Sequence, residues 1–195
     1  MMVTNCRTKG KGIFRGLLII VLTLLRLESM MKKTMLTHFE PEQVRHAMRA
    51  WTSGVTIVTA AHKNEQHGMT VSSFASISLD PPLLMVALQK TTRTSRIVSR
   101  ARAFGVTILS ANQKEISERF AGRSDDSNNR LEGIETEILN TGAPLIKGGL
   151  AYFDCRLRQT VDAGTSIIYI GEVVAARQFE GQPLVYYNRQ YQRIS

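Results

Sequence analysis

The sequence predicts a mainly β protein, an antiparallel β-barrel with peripheral α-helices. Six or seven short segments have the β-branched or alternating pattern of strands, and the helical patterns between them are too few for repeated βαβ units. The 195 residues, with 43% hydrophobic and 21% charged side chains, have the length and composition of one globular domain. This composition excludes a disordered chain, a collagen-like repeat and a multidomain machine.

The ordered pattern begins with a helix and a strand near residue 40. Pro41 suits the first turn of a helix, and four apolar residues follow at helical spacing: Val44, Ala47, Met48 and Trp51. Residues 54–60, GVTIVTA, carry β-branched side chains on both faces. They predict a strand that is packed on both sides.

The next three strands are predicted from composition and turn signals. Residues 69–79 (MTVSSFASISL) predict one hydroxyl-rich strand, which ends at Asp80-Pro81-Pro82 because two prolines cannot stay in a central ladder. Residues 83–88 and 104–109 are short apolar runs bounded by turn signals, and they predict buried strands.

Two helices are predicted in the middle of the chain. The first can be capped by Thr92 or Thr94, and its apolar face consists of Ile97, Val98 and Ala101. The second begins at a capping box of Ser110 and Gln113 and ends at Gly122.

The last third of the chain predicts a loop and three strands. Residues 123–149 are polar and contain glycines, which is typical of a surface loop. Residues 152–158 alternate like a half-exposed antiparallel strand, with Phe153, Cys155 and Leu157 inward and Asp154, Arg156 and Arg158 outward. Residues 167–175 and 184–188 predict the two final strands.

The charge distribution and the cysteines exclude several classes of function. Residues 1–35 hold a net +6 of the formal +9, and the rest of the chain has no basic stripe with interleaved aromatic residues, so nucleic acid is not an expected partner. The two cysteines, Cys6 and Cys155, form no C-x-x-C motif, and no histidine cluster offers a metal site. A reducing, cytoplasmic compartment is therefore expected.

Residues 1–35 are predicted to be an extension that precedes a single domain at 36–195. Residues 17–25, LLIIVLTLL, follow a basic stretch as in a signal peptide, but no small-x-small cleavage site follows. The run is also too short to span a bilayer as a helix, so no integral membrane association is expected. Methionines at 30, 31 and 35 favour a true start downstream of residue 1, with a signal or surface anchor as the alternative.

The densest set of candidate binding residues is a run of hydroxyl groups in residues 70–78. Its members are Thr70, Ser72, Ser73, Ser76 and Ser78. In a regular strand, Ser72 shares a face with Ser76 and Ser78, and Ser73 lies on the other face. One interpretation is a solvated edge strand. The other is a site for a planar polar heterocycle, bound by hydroxyl and backbone N–H groups where the strand departs from its ladder.

A second candidate is the segment 90–95, KTTRTS, at the start of the first predicted mid-chain helix. Hydroxyl and basic side chains at a helix N-terminus suit an anion such as a phosphate, although the same hydroxyls can serve only as helix caps. The chain has no motif of a catalytic nucleophile, a P-loop or a dinucleotide fingerprint. Its four histidines, His38, His46, His62 and His67, are predicted to be surface or helix-face residues and not catalysts, so any chemistry would come from a bound cofactor.

Five segments together are specific enough to compare with known families. They are VRHAMRAWTSGVTIVTA (44–60), HGMTVSSFASISLDPPLLMVAL (67–88), TTRTSRIV (91–98), FGVTILSANQKEISERFAG (104–122) and IIYIGEVVA (167–175). From about residue 39 to 193, the chain resembles the flavin reductase-like family of FMN-binding split barrels. This family includes the small reductase components of two-component flavin monooxygenases, such as the 4-hydroxyphenylacetate system.

This resemblance implies a Greek-key split barrel that dimerises and binds FMN or FAD near the subunit interface. The implied enzyme uses NADH or NADPH to reduce flavin by hydride transfer, and it supplies reduced flavin to a separate monooxygenase. The implied contacts to the flavin ring and ribityl chain are Thr70, Val71, Ser72, Ser73, Ser76 and Ser78. The implied phosphate contacts are Lys90, Thr92, Arg93 and Thr94, and Phe120 and Gly122 are expected near the nicotinamide nucleotide.

Two departures from the family pattern bear on activity. Many members have Gly-Asp-His or Gly-Thr-His before the penultimate strand, and this chain has Ser166 at the position of the histidine. It also has Thr107 where relatives often have asparagine in Phe-x-Val-Asn-x-Leu. We expect Ser166 to lower reductase activity or shift the nucleotide preference. The alternatives are a protein that retains its flavin and acts on a small molecule itself, and a flavin-binding protein without turnover.

Overall fold

A computed structural model of the chain describes residue 26 and residues 40–122 and 129–194. The chain divides into two compact units, Met1–Met48 and Arg49–Ser195. The predictions about residues 1–35 lie, apart from Arg26, outside the described residues, and the boundary at residue 36 stays a prediction. Within the described ranges, we find no helix with the length and apolar character needed to cross a bilayer.

Residues 40–122 and 129–194 contain three α-helices and twelve strands. The helices are α1 (Pro41–Ala47), α2 (Arg93–Ala101) and α3 (Lys114–Phe120), with 3-10 turns at Met48–Ala50 and Ala111–Gln113. The strands are β1 (Ser53–Gly54), β2 (Thr56–His62), β3 (Glu65–Val71), β4 (Phe74–Leu79), β5 (Pro82–Gln89), β6 (Ala103–Ile108), β7 (Thr136–Ile138), β8 (Pro144–Ile146), β9 (Ala151–Ala163), β10 (Ser166–Gln178), β11 (Val185–Tyr187) and β12 (Gln190–Gln192).

Seven strands form one antiparallel sheet in the order β3-β2-β6-β9-β10-β5-β4. The two edge strands, β3 and β4, are consecutive in the chain and joined only by Ser72 and Ser73. Since the three Cα–Cα steps from Val71 to Phe74 span about 11 Å at most, the sheet must curl until its edges meet at this link. The link lies against β5, where Ala87 N–H donates to the Ser73 carbonyl at 3.1 Å. The predicted antiparallel, mainly β fold with few helices is confirmed.

Two apolar clusters form the core. The first fills the barrel beneath α2, where Ile97, Phe104 and Tyr169 are fully buried. The second lies beside α3 and contains Ile57, Leu109 and Phe120. This second cluster underlies the cleft described below, so the same side chains stabilise the fold and shape the site.

The two predicted helix starts in the middle of the chain are confirmed in part. Thr92, the first of its two candidate caps, accepts a hydrogen bond from Ser95 N–H at 3.3 Å at the start of α2. Ser110 N–H donates to the Gln113 side chain at 3.1 Å, but this box opens a 3-10 turn that precedes α3. The helix predicted to reach Trp51 instead ends at Ala47, and Trp51 is 66% exposed.

Three predicted segments are divided differently in the structure. The hydroxyl-rich strand 69–79 is two strands, because the chain leaves β2 at Val71 and pairs with β5 from Phe74 onward. The strand predicted at 54–60 is β1 and β2, because Val55 N–H donates to the Leu184 carbonyl instead of continuing the ladder. The loop predicted at 123–149 contains an antiparallel pair, β7 and β8, and residues 123–128 lie outside the described residues.

Asp154 and His67 are buried, although the sequence predicts an outward-facing Asp154 and a His67 at the surface or on a helix face; His67 lies on β3. Asp154 lies on the outer face of the barrel, beside Gly105 of β6, as its alternation predicts. Residues 140–146, expected to be surface loop, cover that face: a Cβ on Gly105 would lie 2.8 Å from Leu145 Cδ2. His67 Nδ1 lies 2.8 Å from Thr94 Oγ1 of α2. The hydrophobic periodicity of one segment does not show that a distant segment covers Asp154 or that α2 covers His67.

Cys155 is a core residue, as predicted. Burial raises the pKa of its thiol from 9.0 to about 12, and the neighbouring Asp154 acts in the same direction. The fold therefore keeps the full contribution of this thiol to its stability below pH 9.0. As the pH rises from 9.0 towards 12 the fold loses stability, because the unfolded chain releases the thiol proton more readily than the folded chain.

We expect Cys155 to resist alkylation in the folded chain because the thiolate is the reactive species. Iodoacetamide treatment of the native full-length chain at mildly alkaline pH, followed by peptide mass spectrometry, should leave Cys155 unmodified. The same treatment in denaturant should modify it completely, and rapid labelling of native Cys155 would contradict its burial.

Candidate functional site

A cleft of about 390 Å³ opens beside the link between β3 and β4. This volume lies within the usual range for small-molecule sites. Its walls come from β1, β3, the turn between β5 and α2, the end of α3 and the C-terminal strands. The lining residues are Ser53, Gly54, Val55, Met69, Thr70, Val71, Ser72, Gln89, Thr92, Ser117, Phe120, Ala121, Arg130, Tyr186 and Tyr191.

The β3 wall is fixed by two hydroxyl groups that bond to backbone carbonyls. Thr56 Oγ1 donates to the Val71 carbonyl at 2.6 Å, which holds the last residue of β3 against β2. Thr70 Oγ1 donates to the Ser117 carbonyl at 2.7 Å, which ties β3 to α3. The chain therefore enters the Ser72–Ser73 link from a rigid strand end.

Phe120 forms an apolar wall that packs against β3 and depends on a glycine there. A Cβ on Gly68 of β3 would lie only 2.8 Å from Phe120 Cε1. Because glycine has no side chain, the fully buried ring can lie directly on the strand. Arg130 Nη1 donates to the Phe120 carbonyl at 2.9 Å and closes this end of α3.

The turn before α2 forms the polar end of the cleft. Thr92 Oγ1 donates to the Gln89 carbonyl at 2.8 Å and accepts from Ser95 N–H, so its oxygen is already used in capping. Lys90 Nζ lies outside the lining and contacts both carboxylate oxygens of Asp162, at 2.7 and 2.8 Å. This ammonium group lowers the pKa of the Asp162 carboxyl. Lys90 therefore forms a salt bridge with Asp162 on the exposed surface.

Five of the predicted site residues line this one cleft, although they come from three separate elements. They are Thr70, Val71, Ser72, Thr92 and Phe120. This grouping joins the two sequence candidates, the hydroxyl run and the helix start.

The other predicted site residues lie around the cleft. Ser73 donates from Oγ to the Ala87 carbonyl at 2.8 Å, and Ser76 and Ser78 lie further along β4. The Thr94 hydroxyl of α2 contacts the buried His67 ring, and Arg93 Nη2 lies 4.0 Å from Glu65 Oε1.

Gly122 and Ser166 also lie beside the lining. Gly122 has a φ of +70°, and a Cβ there would lie 2.8 Å from Arg130 Nη2. Ser166 is half-buried and opens β10, where it pairs with Gln89. It therefore lies next to a cleft-lining residue, at the polar end. The roles proposed for these residues stay predictions.

The structure adds cleft residues that the sequence analysis did not single out. The most distinctive are Tyr186 and Tyr191, which lie opposite each other in the antiparallel pair of β11 and β12. A hairpin in the sequence could have indicated this pair. Asn188 and Arg189 form its two-residue turn, with positive φ values of 47° and 63°. Arg130 and Ser117 had no comparable local signal.

The described residues contain no group of three or more potential metal ligands. The cleft lining presents hydroxyl, amide, aromatic and guanidinium groups. Arg130 is the one charged side chain among the described residues that line the cleft. Such a lining, apolar on its faces with a few polar groups, suits a planar polar ligand.

A family comparison identifies the chain. The family model described as "Flavin reductase like domain" matches residues 48–195, which include every cleft residue named above. The chain belongs to the flavin reductase-like family. The family predicted from the five sequence segments is therefore confirmed, and with it the enzyme class, since the matched relatives are flavin reductases.

Three members of the flavin reductase-like family illustrate the match. The FMN reductase (NADH) SmoA of Agrobacterium fabrum is 40% identical over 153 residues, which are 77% of this chain and 84% of that protein. The reductase component of 4-hydroxyphenylacetate 3-monooxygenase from Thermus thermophilus is 36% identical, over 78% of this chain and 96% of that protein. The NADH:FAD oxidoreductase SgcE6 of Streptomyces globisporus, solved with NAD and FAD fragments, superposes with a TM-score of 0.74 at 28% identity, covering 80% and 95% of the chains.

Proposed function

We propose that this chain is an NAD(P)H:flavin oxidoreductase that binds FMN or FAD in the cleft and supplies reduced flavin to a separate monooxygenase. The observation that carries the proposal is the cleft itself, which joins the Thr70–Ser72 wall to the start of α2. Relatives that act on FMN or FAD with NADH, or serve as reductase components, support it.

The cleft fits a flavin by the chemistry of its walls. Val71 and Phe120 offer apolar contact to a flat ring, and Thr70 and Ser72 place polar atoms at the rim. The N-terminus of α2 directs backbone N–H groups and a positive dipole end towards an anion, which suits the flavin phosphate. We assign the phosphate to the turn that contains Lys90, Thr92, Arg93 and Thr94.

A bound flavin would supply the redox chemistry by accepting a hydride from reduced nicotinamide. The chain's own residues would bind and orient the two rings and exclude water, because hydride transfer between stacked rings needs close alignment more than a protein acid or base. The rigid end of β3 and the Phe120 wall provide that alignment, and Phe120 and Gly122 border the space proposed for the nicotinamide.

Oligomeric state and compartment are part of the proposal. We propose a homodimer, supported by exposed apolar side chains on the edge strand β4, where Leu79 is 88% and Ile77 47% exposed. We place the enzyme in the cytoplasm, in keeping with its buried free thiol. Size-exclusion chromatography with light scattering tests the dimer, and a monomer at all concentrations would contradict it.

The test of the proposed function is oxidation of NADH and NADPH by the purified full chain, with and without added FMN or FAD. Turnover that requires free flavin is expected, and it would reveal both cofactor preferences. Bound flavin without nucleotide oxidation would favour the flavin-binding alternative. Turnover with a flavin that stays bound after gel filtration would favour an enzyme that retains its flavin.

We expect Ser166 to influence nucleotide use because it pairs with Gln89 at the polar end of the cleft. Ser166→His should raise kcat/KM for NADH or NADPH several-fold by restoring a ring nitrogen that can bond to the nucleotide, whereas Ser166→Ala should lower it slightly. Steady-state kinetics with each nucleotide measures both effects. Equal kcat/KM values in both variants and the wild type would exclude this role.

A further inference from the structure

Two tyrosines of the C-terminal hairpin form an aromatic wall of the cleft. Tyr186 of β11 and Tyr191 of β12 are direct cross-strand partners. Their ring centroids are 5.2 Å apart, and the ring planes meet at 64° in an edge-to-face arrangement. A flat ligand can stack on only one ring of such a pair, because the other presents its edge to the same plane.

Tyr191 is held in place by contacts on two sides. Its hydroxyl lies 2.9 Å from Ser117 Oγ of α3, and Lys114 Nζ lies 5.8 Å from its ring centroid. Ser117 in turn accepts the hydrogen bond from Thr70 through its carbonyl. Tyr191 thus connects the hairpin to α3 and β3, and a cation already occupies one of its faces.

Tyr186 is placed to contact a ligand. It is half-buried and pairs with Ser53 of β1, whose neighbour Gly54 also lines the cleft. Tyr186 and Tyr191 both pack in part against the second core cluster, and the Lys114 ammonium lies over the Tyr191 ring, which leaves less of that ring's surface for a ligand.

We propose that Tyr186 is the stacking residue for the planar heteroaromatic ring of a cofactor in the cleft, and that Tyr191, itself held by Ser117, is a positioning residue that fixes the Tyr186 ring through their edge-to-face contact. The inference rests on the proposed function and extends it to residues of the C-terminal hairpin. The ring is that of the flavin or of the nicotinamide nucleotide, since both share the flat conjugated surface that stacks on tyrosine.

Tyr186→Leu in the full chain tests the stacking role. We expect a rise of about tenfold in either the Kd for FMN, measured by fluorescence titration without nucleotide, or the KM for NADH. A changed FMN Kd identifies the flavin ring as the partner, and a changed KM with an unchanged FMN Kd identifies the nicotinamide nucleotide. Tyr186→Phe keeps the ring and should restore both values to within about twofold.

Tyr187→Leu is the matched control, because Tyr187 lies on the same strand with its side chain on the other face and 43% exposed. It should leave the FMN Kd and the KM unchanged. If Tyr186→Leu also leaves both unchanged while the wild type binds FMN and oxidises NADH, the stacking role is wrong and the proposed function stands. If the wild type does neither, the proposed function itself has failed.

Tyr191→Phe and Ser117→Ala test the positioning role. Each removes one side of the same hydroxyl contact, so each should weaken ligand binding about threefold, and the double variant should be no worse than either single variant. Additive effects would contradict coupling through this bond. Thermal unfolding of every variant should give a single transition near that of the wild type, which separates a local effect on the cleft from misfolding.

Discussion

Phe120→Ala is expected to lower the free energy of unfolding by about 3–5 kcal/mol and to weaken flavin binding at least tenfold. The ring is fully buried, lies on Gly68 and forms one wall of the cleft. Its removal leaves a cavity between α3 and β3 and takes away apolar contact from a ligand. Urea unfolding and FMN titration of the same preparation measure the two effects.

Phe104→Ala is the matched control for this prediction. Phe104 is equally buried but belongs to the other core cluster, away from the cleft. A similar loss of stability with an unchanged FMN Kd is expected. If the two variants weakened FMN binding to the same extent, the effect of Phe120 on binding would be a general consequence of destabilisation and not of its place in the wall.

Asp154→Ala is expected to cost about 3 kcal/mol of stability, a large effect for a polar residue on one face of a strand. The buried carboxylate accepts hydrogen bonds from Asn140 N–H at 2.6 Å, from Thr141 N–H at 2.8 Å and from the Thr141 hydroxyl. Without it, two backbone donors in the segment that covers the barrel lose their acceptor. The midpoint of urea unfolding measures the loss.

Asp154→Asn should fall between the wild type and Asp154→Ala, because the amide keeps one acceptor oxygen but turns an NH₂ group towards these donors. Asp162→Ala provides the control for removal of an acid, since Asp162 is exposed and its carboxylate contacts Lys90 and a backbone N–H of Gly164 at the surface. Its unfolding midpoint should not change measurably. An unchanged midpoint for Asp154→Ala would show that segment 140–146 holds to the barrel without this residue.

The sequence predicts the candidate site only as far as its local patterns reach. The Thr70–Ser72 hydroxyls and the Thr92 helix start are visible as motifs, and both line the cleft. Tyr186, Ser117 and Arg130 are not predictable in this way, because each enters the cleft from a segment far away in the chain. The break at Ser72 and Ser73 is also missed, since the run 69–79 has the composition of one continuous strand.

The amino-acid sequence by itself determined the class of fold, the family, the order of the main strands and helices, and the core position of Cys155. These follow from local periodicity, turn residues and a family-specific pattern, all of which act over short stretches of chain. Only the tertiary structure decided that the sheet edges meet at the Ser72–Ser73 link, that residues 140–146 bury Asp154, and that the C-terminal tyrosines complete the cleft. The physical reason is that these features depend on long-range strand pairing and on which layer covers which face, and neither leaves a local trace in the sequence.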